Sequence, residues 1–216
     1  MFYDIEHFLN NSIKGLEDII RWKPYIKMGI SKENDLQHSF STVLLAILVL
    51  EILEEDPPLI KYNKYEILAC SALHDLGEIN VGDTLYKYKT LESISNELES
   101  YNQQINCFPE YLKVKLFRLY TMQLINFNEV NFESSDLGNA IIFNFIERLG
   151  YLLFAMREYK KSKNNIVLLI QVIRNQLEQI KETLKILEAC RKIFTDDFLH
   201  WLEELLIENN GKFIEN

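Results

Sequence analysis

Apolar residues recur at spacings of three and four along nearly the whole chain, which is the period of helices that pack through one face. Only seven glycines and four prolines interrupt the 216 residues, and no segment alternates convincingly as a half-buried strand would. The pattern therefore predicts an all-α fold. The expected helices are one or two before residue 20, followed by 38–54, 65–76, 91–106, 110–126, 138–159, 166–194 and 196–208.

Segment 38–54 is apolar on nearly all sides, which indicates a buried central helix that Pro57 and Pro58 end. The longest uninterrupted apolar run, residues 43–50, is too short to cross a bilayer, and the N-terminus lacks the basic segment of a signal peptide. We therefore expect a cytoplasmic protein with no membrane association.

The chain length suits a single domain over residues 1–216, with a core at about 20–160 and a C-terminal helical extension at about 166–208. The formal net charge of −9 argues against binding to a nucleic-acid polymer, which needs clustered Lys and Arg, but leaves room for a small phosphorylated substrate. Three widely spaced cysteines fit neither a zinc motif nor a disulfide framework, so we predict that they pack in the core.

The segment SALHDLGEINVGDTLYKY, residues 71–88, places a histidine and three acids at the end of a predicted core helix. Adjacent residues such as His74 and Asp75 point about 100° apart on a helix, so they can share one ion only at a helix end. Together they offer a nitrogen and an oxygen to a divalent first-row metal. A third ligand must come from elsewhere, and His38 begins the central helix without an obvious packing reason.

Each of these residues also has a plain structural interpretation, because a histidine at a helix start is more often a cap or a hydrogen-bonded core residue than a ligand, and a His–Asp pair often occurs by chance. Glu78 changes the balance, since it lies four residues after His74 and three after Asp75 and so shares their helical face. A carboxylate there could act as a general acid or base beside a metal site. His7 and His200 have no such neighbours, and we predict that both are structural or surface residues.

Three separated segments resemble the HD-domain metal-dependent phosphohydrolases, and most of all the branch that contains bacterial 5′-deoxynucleotidases. They are IRWKPYIKMGISKENDLQHS (residues 20–39), HDLGEINVGDT (74–84) and FIERLGYLLFAMREY (145–159). The second is similar to the family pattern His-Asp-x-x-Glu-x-x-x-Gly-Asp. The resemblance implies an HD-type helical bundle, a divalent cation such as Mn²⁺, Co²⁺, Mg²⁺ or Fe²⁺, a small-molecule nucleotide substrate and a homodimer.

Carried over residue by residue, the resemblance implies that the cation is bound by His38, His74 and Asp75. Glu78 is then implied to handle the proton of the attacking water or of the leaving group. The catalytic set that follows from the resemblance is Glu78, Asp75 and Arg21.

The resemblance also implies three substrate-binding residues. Arg21 would bind the phosphate and Asp83 the sugar 3′-hydroxyl. Trp22 would occupy the space that a ribose 2′-hydroxyl would fill. Arg offers a planar fork that suits phosphate oxygens, and Trp is rigid and bulky enough to exclude one extra oxygen. The structural alternative is an exposed Arg beside a core Trp.

The chain departs from the family at the fourth metal ligand, which is normally an aspartate. Glu147 takes that position in the third segment. Its neighbours are so apolar that the helix should be largely buried, and a buried unpaired carboxylate is costly, so we predict that Glu147 binds the metal. Asp136, upstream in the sequence, is the other candidate.

The leading interpretation is a metal-dependent phosphomonoesterase acting on (deoxy)nucleoside 5′-monophosphates. One alternative is an HD-type phosphohydrolase for another nucleotide or a phosphodiester. The other is a non-catalytic nucleotide-binding regulator that lost turnover through Glu147. Lys87 and Lys89 follow the second segment, and we predict that both point to solvent.

Overall fold

The computed structural model describes residues 2–27, 29–84, 89–125, 135–161 and 166–209. Within these ranges the predicted all-α fold is confirmed, and the one extended pairing is an isolated bridge between Ile20 and Asn34. The α-helices are α1 (Phe2–Asp18), α2 (Lys23–Ile26), α3 (Asp35–Glu55), α4 (Lys64–Leu73), α5 (Leu91–Ile105), α6 (Glu110–Thr121), α7 (Ser135–Lys161), α8 (Ile166–Thr183) and α9 (Asp196–Glu208). Short 3-10 helices follow α4, α6 and α8 at Leu76–Asn80, Met122–Leu124 and Glu188–Ile193.

Helix α3 begins before the predicted start at residue 38, because Asn34 caps it. The Asn34 side chain accepts a hydrogen bond from the Gln37 amide at 2.9 Å, and the Gln37 side chain accepts one from the Asn34 amide at 3.1 Å. This capping box leaves His38 inside the first turn, with its side chain buried. His38 is therefore not the helix cap.

The prediction that α3 is a buried central helix is correct for one face only, because a second apolar face points outward. Phe40, Leu44 and Leu48 lie on successive helical turns and are 64%, 47% and 61% exposed. The opposite face, which includes Ala46 and Val49, is fully buried. Composition alone does not show which apolar face of a helix the rest of the chain covers.

Helix α7 lies at the centre of the core. Its residues Ile142, Phe145, Ile146, Leu149 and Leu152 are almost fully buried, and it packs against α3, α4 and α8. Buried side chains of α8, of the last 3-10 helix and of α9 join the same hydrophobic cluster. The C-terminal helices thus extend the core that positions the site.

Several predicted helices end earlier than expected. Segment 166–194 is divided, because α8 stops at Thr183 and a turn carries Leu184 and Leu187 into the core. Segments 65–76 and 110–126 likewise end in 3-10 helices. In a 3-10 turn, apolar side chains that share a face are three residues apart, which is close to the spacing in an α-helix. The apolar period therefore does not show where each α-helix ends.

Gly77 and Gly82 contribute differently to the turn that follows α4. Gly82 has a φ of +81°, in the left-handed region that favours glycine. Gly77 instead permits close packing, because a Cβ atom there would lie 2.0 Å from the Tyr120 hydroxyl oxygen. This packing brings α6 against the turn that follows α4.

Two helices, Asp35–Glu55 and Asp136–Lys161, are long and apolar enough to cross a membrane by length and composition. Most of the second is buried inside the protein, and both carry polar site residues into its interior, so they do not indicate a membrane protein. Cys70 and Cys190 are buried as predicted, whereas Cys107 is exposed, contrary to the prediction.

Gly138→Ala should lower the free energy of unfolding by about 1–3 kcal/mol, because a Cβ atom there would crowd its neighbours. That atom would lie 2.0 Å from the Lys61 carbonyl oxygen. Gly150→Ala, on the same helix, is the matched control, since its Cβ atom would lie at an ordinary 3.6 Å from Leu45 Cδ1. Alanine is favoured over glycine inside a helix, so this control should be neutral or stabilising. Chemical denaturation measures both, and equal stabilities would contradict the close approach of α7 to Lys61.

Candidate metal centre and active site

Three helices bring a cluster of nitrogen and oxygen atoms together. His38 comes from the first turn of α3, His74 from the C-terminal end of α4, and Glu147 from the middle of α7. The Nε2 atoms of both histidines lie 3.3 Å from Glu147 Oε1, and one ligand atom of each residue lies within 4.8 Å of the other two. Among the described residues, this is the one group of His, Cys, Asp or Glu side chains that could hold a metal ion.

The donor set of this cluster fits a divalent cation. His74 Nδ1 lies 3.0 Å from the Ser71 carbonyl oxygen, which only accepts, so Nδ1 carries the proton and Nε2 of the neutral ring presents a lone pair. Among the described residues, the buried Nε2 atoms of His38 and His74 have no hydrogen-bond partner. Nitrogen lone pairs directed at a carboxylate oxygen need a cation or a proton between them.

The charges around the cluster keep Glu147 ionised. Burial raises its pKa, but when His74 and His38 carry a proton, as they do without a metal, their charges outweigh burial and hold that pKa below its usual range. The Thr42 hydroxyl also donates a hydrogen bond to Glu147 Oε1 at 3.2 Å. Glu147 therefore offers a negatively charged oxygen to a cation, as the sequence led us to expect of a ligand.

Asp75, the other predicted ligand, lies directly beside the cluster. Its Oδ1 is 3.2 Å from His74 Nε2, and its Oδ2 accepts a hydrogen bond from the Ser39 hydroxyl at 3.0 Å. Burial raises the pKa of Asp75, but His74, His38 and Arg21 together lower it. A second ionised carboxylate thus faces the same imidazole.

Arg21 reaches the cluster from the segment before α3, where its backbone N–H donates to the Glu33 carbonyl at 2.9 Å. The guanidinium donates hydrogen bonds to Asp35 Oδ1 at 3.2 Å and to the Tyr151 hydroxyl at 2.8 Å. Its Nη1 lies 3.6 Å from Asp75 Oδ2, and its buried Nε has no partner within the described ranges of the chain. Arg21 is therefore a buried part of the site, which excludes the exposed position of the structural alternative.

Trp22 follows Arg21 in an unusual backbone conformation. Its φ of 57° lies in the left-handed region, which only tertiary contacts can enforce on a bulky residue. The indole ring stacks on Phe154, with centroids 5.1 Å apart and planes at 4°. Trp22 also lines a cavity of about 310 Å³ that His38 and Thr42 share.

Glu78 lies in the 3-10 helix after α4 and is buried. Lys89 donates hydrogen bonds to Glu78 Oε1 at 3.3 Å and to Glu97 Oε2 at 2.9 Å. The prediction that Lys89 points to solvent is therefore wrong, while Lys87 lies outside the described residues. Burial and the charge of Asp75 raise the pKa of Glu78 well above its usual range, which favours its protonated form.

Asp83 lies half-buried in the loop after the 3-10 helix, on the Arg21 side of the site. Its charge acts on Asp35. Burial, together with the charges of Asp75 and Asp83, raises the pKa of Asp35 to about 7, and Arg21 opposes this rise. All eight predicted site residues thus converge on one region.

Several residues of the site were not predicted. Thr42 and Tyr151 each lie four residues after a predicted ligand, so helical spacing could have indicated them, whereas Ser39 directly follows His38 and shares no helical face with it. Glu97 carries no such pattern, because α5 joins the site only through tertiary packing.

Asp136, the alternative metal ligand, lies elsewhere. Its carboxylate accepts a hydrogen bond from Arg118, and it precedes Glu147 by three turns of α7, roughly 16 Å. His7 and His200 are both exposed, as predicted. Neither contributes to the cluster.

Comparison with known proteins agrees with this geometry. A family model described as HD domain matches residues 16–188, which is most of the chain. The chain belongs to the HD-domain family. No functionally curated protein gives a significant match.

Solved structures share the fold at 18% sequence identity. A predicted metal-dependent phosphohydrolase from Magnetospirillum magnetotacticum has a TM-score of 0.63, with 96% of this chain and 91% of that chain covered. A conserved hypothetical protein from Pyrococcus furiosus has a TM-score of 0.61, with 92% and 96% covered. A protein from Pyrococcus horikoshii has a TM-score of 0.62, with 95% and 99% covered. These similarities establish the fold.

HD-domain membership and the cluster of two histidines and a glutamate together imply a divalent metal cofactor. They also support the hydrolase activity of an HD phosphohydrolase in general terms. The substrate has to be argued from the residues around the cluster.

Glu147→Gln should weaken the binding of Mn²⁺ or Co²⁺ by roughly 10- to 100-fold, because it removes the negative charge that faces both imidazoles. Glu147→Asp keeps that charge and should retain or improve binding. Asp136→Asn removes a carboxylate from the same helix and should leave binding unchanged. Isothermal titration of the native protein and the three variants measures the affinities. Indistinguishable curves for Glu147→Gln and the native protein would remove Glu147 from the ligands.

Proposed function

We propose that the protein is a metal-dependent phosphomonoesterase that removes the 5′-phosphate of deoxynucleoside 5′-monophosphates. The observation that carries this proposal is the cluster of two unpartnered imidazole nitrogens and Glu147, with Arg21 and Glu78 close by. A cation site, an anion-binding guanidinium and a proton-transfer group are the parts that phosphoester hydrolysis requires. The sequence has no glycine-rich phosphate loop, which argues against a kinase-like use of ATP.

The residues that would hold the cation are His38, His74, Asp75 and Glu147. A divalent cation bound there supplies a Lewis acid for the phosphate and lowers the pKa of a water molecule. Arg21 binds a phosphoryl oxygen through its guanidinium and offsets the negative charge that grows on these oxygens. Glu78, whose burial favours the protonated form, donates a proton to the leaving 5′-oxygen.

The preference for a deoxyribose is inferred from Trp22 and Asp83. Trp22 follows Arg21 in the chain, and the cavity that it lines extends to His38. A rigid indole beside the sugar would leave no room for a 2′-hydroxyl. Asp83, half-buried on the Arg21 side, is suited to accept a hydrogen bond from the 3′-hydroxyl.

A panel of ribo- and deoxyribonucleoside monophosphates, assayed for phosphate release with Mn²⁺, Co²⁺ or Mg²⁺, tests the proposal. Release from at least one deoxynucleoside 5′-monophosphate, abolished in a His74→Ala, Asp75→Ala variant, is the expected result. Release only from other nucleotides or phosphodiesters would favour a different HD-type phosphohydrolase. Nucleotide binding without release under any metal would favour the regulatory alternative.

The native protein should release phosphate from dAMP faster than from AMP. Trp22→Ala should lower the ratio of the two kcat/KM values, mainly by raising the value for AMP. Trp201→Ala is the matched control, because Trp201 lies on α9 and is partly exposed. The ratio of kcat/KM values for the two substrates measures the preference. Equal native values, or an equal change in the control variant, would remove Trp22 from this role.

We also propose that two copies of the chain associate through the exposed apolar face of α3, formed by Phe40, Leu44, Ile47 and Leu48. These side chains are 44–64% exposed, and the exposed positions between Phe40 and Leu48 include no charged residue. An uncharged apolar face on a two-turn stretch of helix is suited to isologous contact with its own copy. A location in the cytoplasm remains a prediction.

Leu48→Glu should convert the proposed dimer to a monomer, because it places a charge within an apolar contact. Val114→Glu is the matched control, since both side chains are 61% exposed but Val114 lies on α6. Size-exclusion chromatography with light scattering measures the mass of each protein. A native protein that is monomeric at micromolar concentration would contradict the dimer.

A further inference from the structure

Lys89 joins two buried carboxylates from different parts of the chain. Its Nζ lies 3.3 Å from Glu78 Oε1 and 2.9 Å from Glu97 Oε2. The other oxygen of each carboxylate, Glu78 Oε2 and Glu97 Oε1, is buried without a hydrogen-bond partner among the described residues. One ammonium group thus connects the proposed proton-transfer residue with a second acid that has no role in the chemistry described so far.

This contact differs from an ordinary surface ion pair. The Lys89 side chain is 24% exposed, whereas those of Glu78 and Glu97 are 6% and 5% exposed. Lys113 is equally exposed at 25%, but its partner Glu110 is 78% exposed. Surface pairs of the second kind contribute little, because water screens them, while a buried carboxylate depends strongly on its counter-charge.

Rigid elements fix the three groups. Glu97 lies on α5, which packs against the 3-10 helix that carries Glu78. Thr90, the N-cap of α5, forms a capping box with Ser93, so Lys89 is held at the residue just before that cap. Glu97 therefore lies where it can hold the Lys89 side chain against the interior.

We propose that Lys89 and Glu97 are positioning residues that orient the Glu78 carboxyl group for proton transfer. The inference rests on the proposed function, because it takes Glu78 as the group that transfers the proton. Glu97 holds Lys89, and Lys89 engages Glu78 Oε1. Glu78 Oε2, which has no hydrogen-bond partner in the part of the chain that the structure describes, is then the oxygen that meets the leaving group.

The charges around Glu78 make this role measurable. Among the described residues, the titratable and charged groups that act on it are Asp75, Asp35, Arg21, Lys89 and Tyr120, and Glu97 faces it across Lys89. Burial and Asp75 raise the pKa of Glu78, and Lys89 lowers it. Loss of the Lys89 charge should raise the pKa of Glu78 further, because a stabilising positive charge is removed. Loss of the Glu97 charge should lower the pKa of Glu78, because Lys89 would then interact with the Glu78 carboxylate alone.

The experiment compares the native full-length protein with Lys89→Met, Lys89→Arg and Glu97→Gln, and with Lys113→Met as the matched control. Carbon-13 NMR of the glutamate carboxyl groups, with the Glu78 signal assigned from Glu78→Gln, gives the midpoint of the Glu78 titration. The pH dependence of phosphate release from dAMP is measured on the same proteins. Glu97→Gln and Lys89→Arg nearly preserve side-chain size. These two variants therefore test the positioning role if Lys89→Met does not fold.

Lys89→Met should raise the titration midpoint of Glu78 and lower kcat by about tenfold or more, with KM little changed. Lys89→Arg should restore most of the activity, because it keeps the charge. Glu97→Gln keeps a hydrogen-bond acceptor for Lys89 and should move the midpoint in the opposite direction. Lys113→Met should change neither quantity.

Two outcomes would overturn the inference. The first is an unchanged Glu78 midpoint in both Lys89→Met and Glu97→Gln, and the second is a shift of equal size in Lys113→Met. If the native protein releases no phosphate but the midpoints move as expected, the proposed function fails while the coupling of Lys89 and Glu97 to Glu78 is upheld. If phosphate is released and the midpoints do not move, the positioning role alone fails.

Discussion

The burial of several ionisable side chains where α3, α4 and α7 meet is the constraint on which the rest of the structure depends. Removing a charge from water is costly unless another charge or a hydrogen bond meets it. Among the described residues of this region, the permanent cations are Arg21 and Lys89, and the carboxyl groups are Asp35, Asp75, Glu78, Glu97 and Glu147. Even with Glu78 protonated, these acids outnumber the two cations, so a divalent cation beside the two imidazoles would offset charge that the protein itself leaves unbalanced.

Helix α7 carries one residue that contacts the imidazoles and another that contacts Arg21. Glu147 faces the imidazoles of His38 and His74, and Tyr151, one turn later, accepts a hydrogen bond from Arg21. The same helix therefore sets the distance between the metal-facing carboxylate and the guanidinium proposed to bind phosphate. A glutamate in place of the family's usual aspartate still reaches both imidazole nitrogens from this position.

The sequence predicted the helical fold well because the period of apolar residues records which face of each helix is buried. It failed at helix ends such as Thr183, where 3-10 turns preserve nearly the same spacing. Glu78 could be assigned to the site from neighbours only a few residues away, and Glu147 from the family resemblance. Lys89 and Glu97 could not, because their pairing depends on how α5 packs against the turn after α4.

Because α8 packs along α7, the C-terminal helices help to set the positions of the site residues that α7 carries. Side chains such as Ile173, Leu177 and Ile180 are buried in the same cluster as the inner face of α7. A change in their volume would tilt or shift α7, and Glu147 and Tyr151 would move with it. Substitutions on a helix without a site residue could thereby change metal affinity and the proposed phosphate binding together, so random variants that alter both at once should include positions on α8.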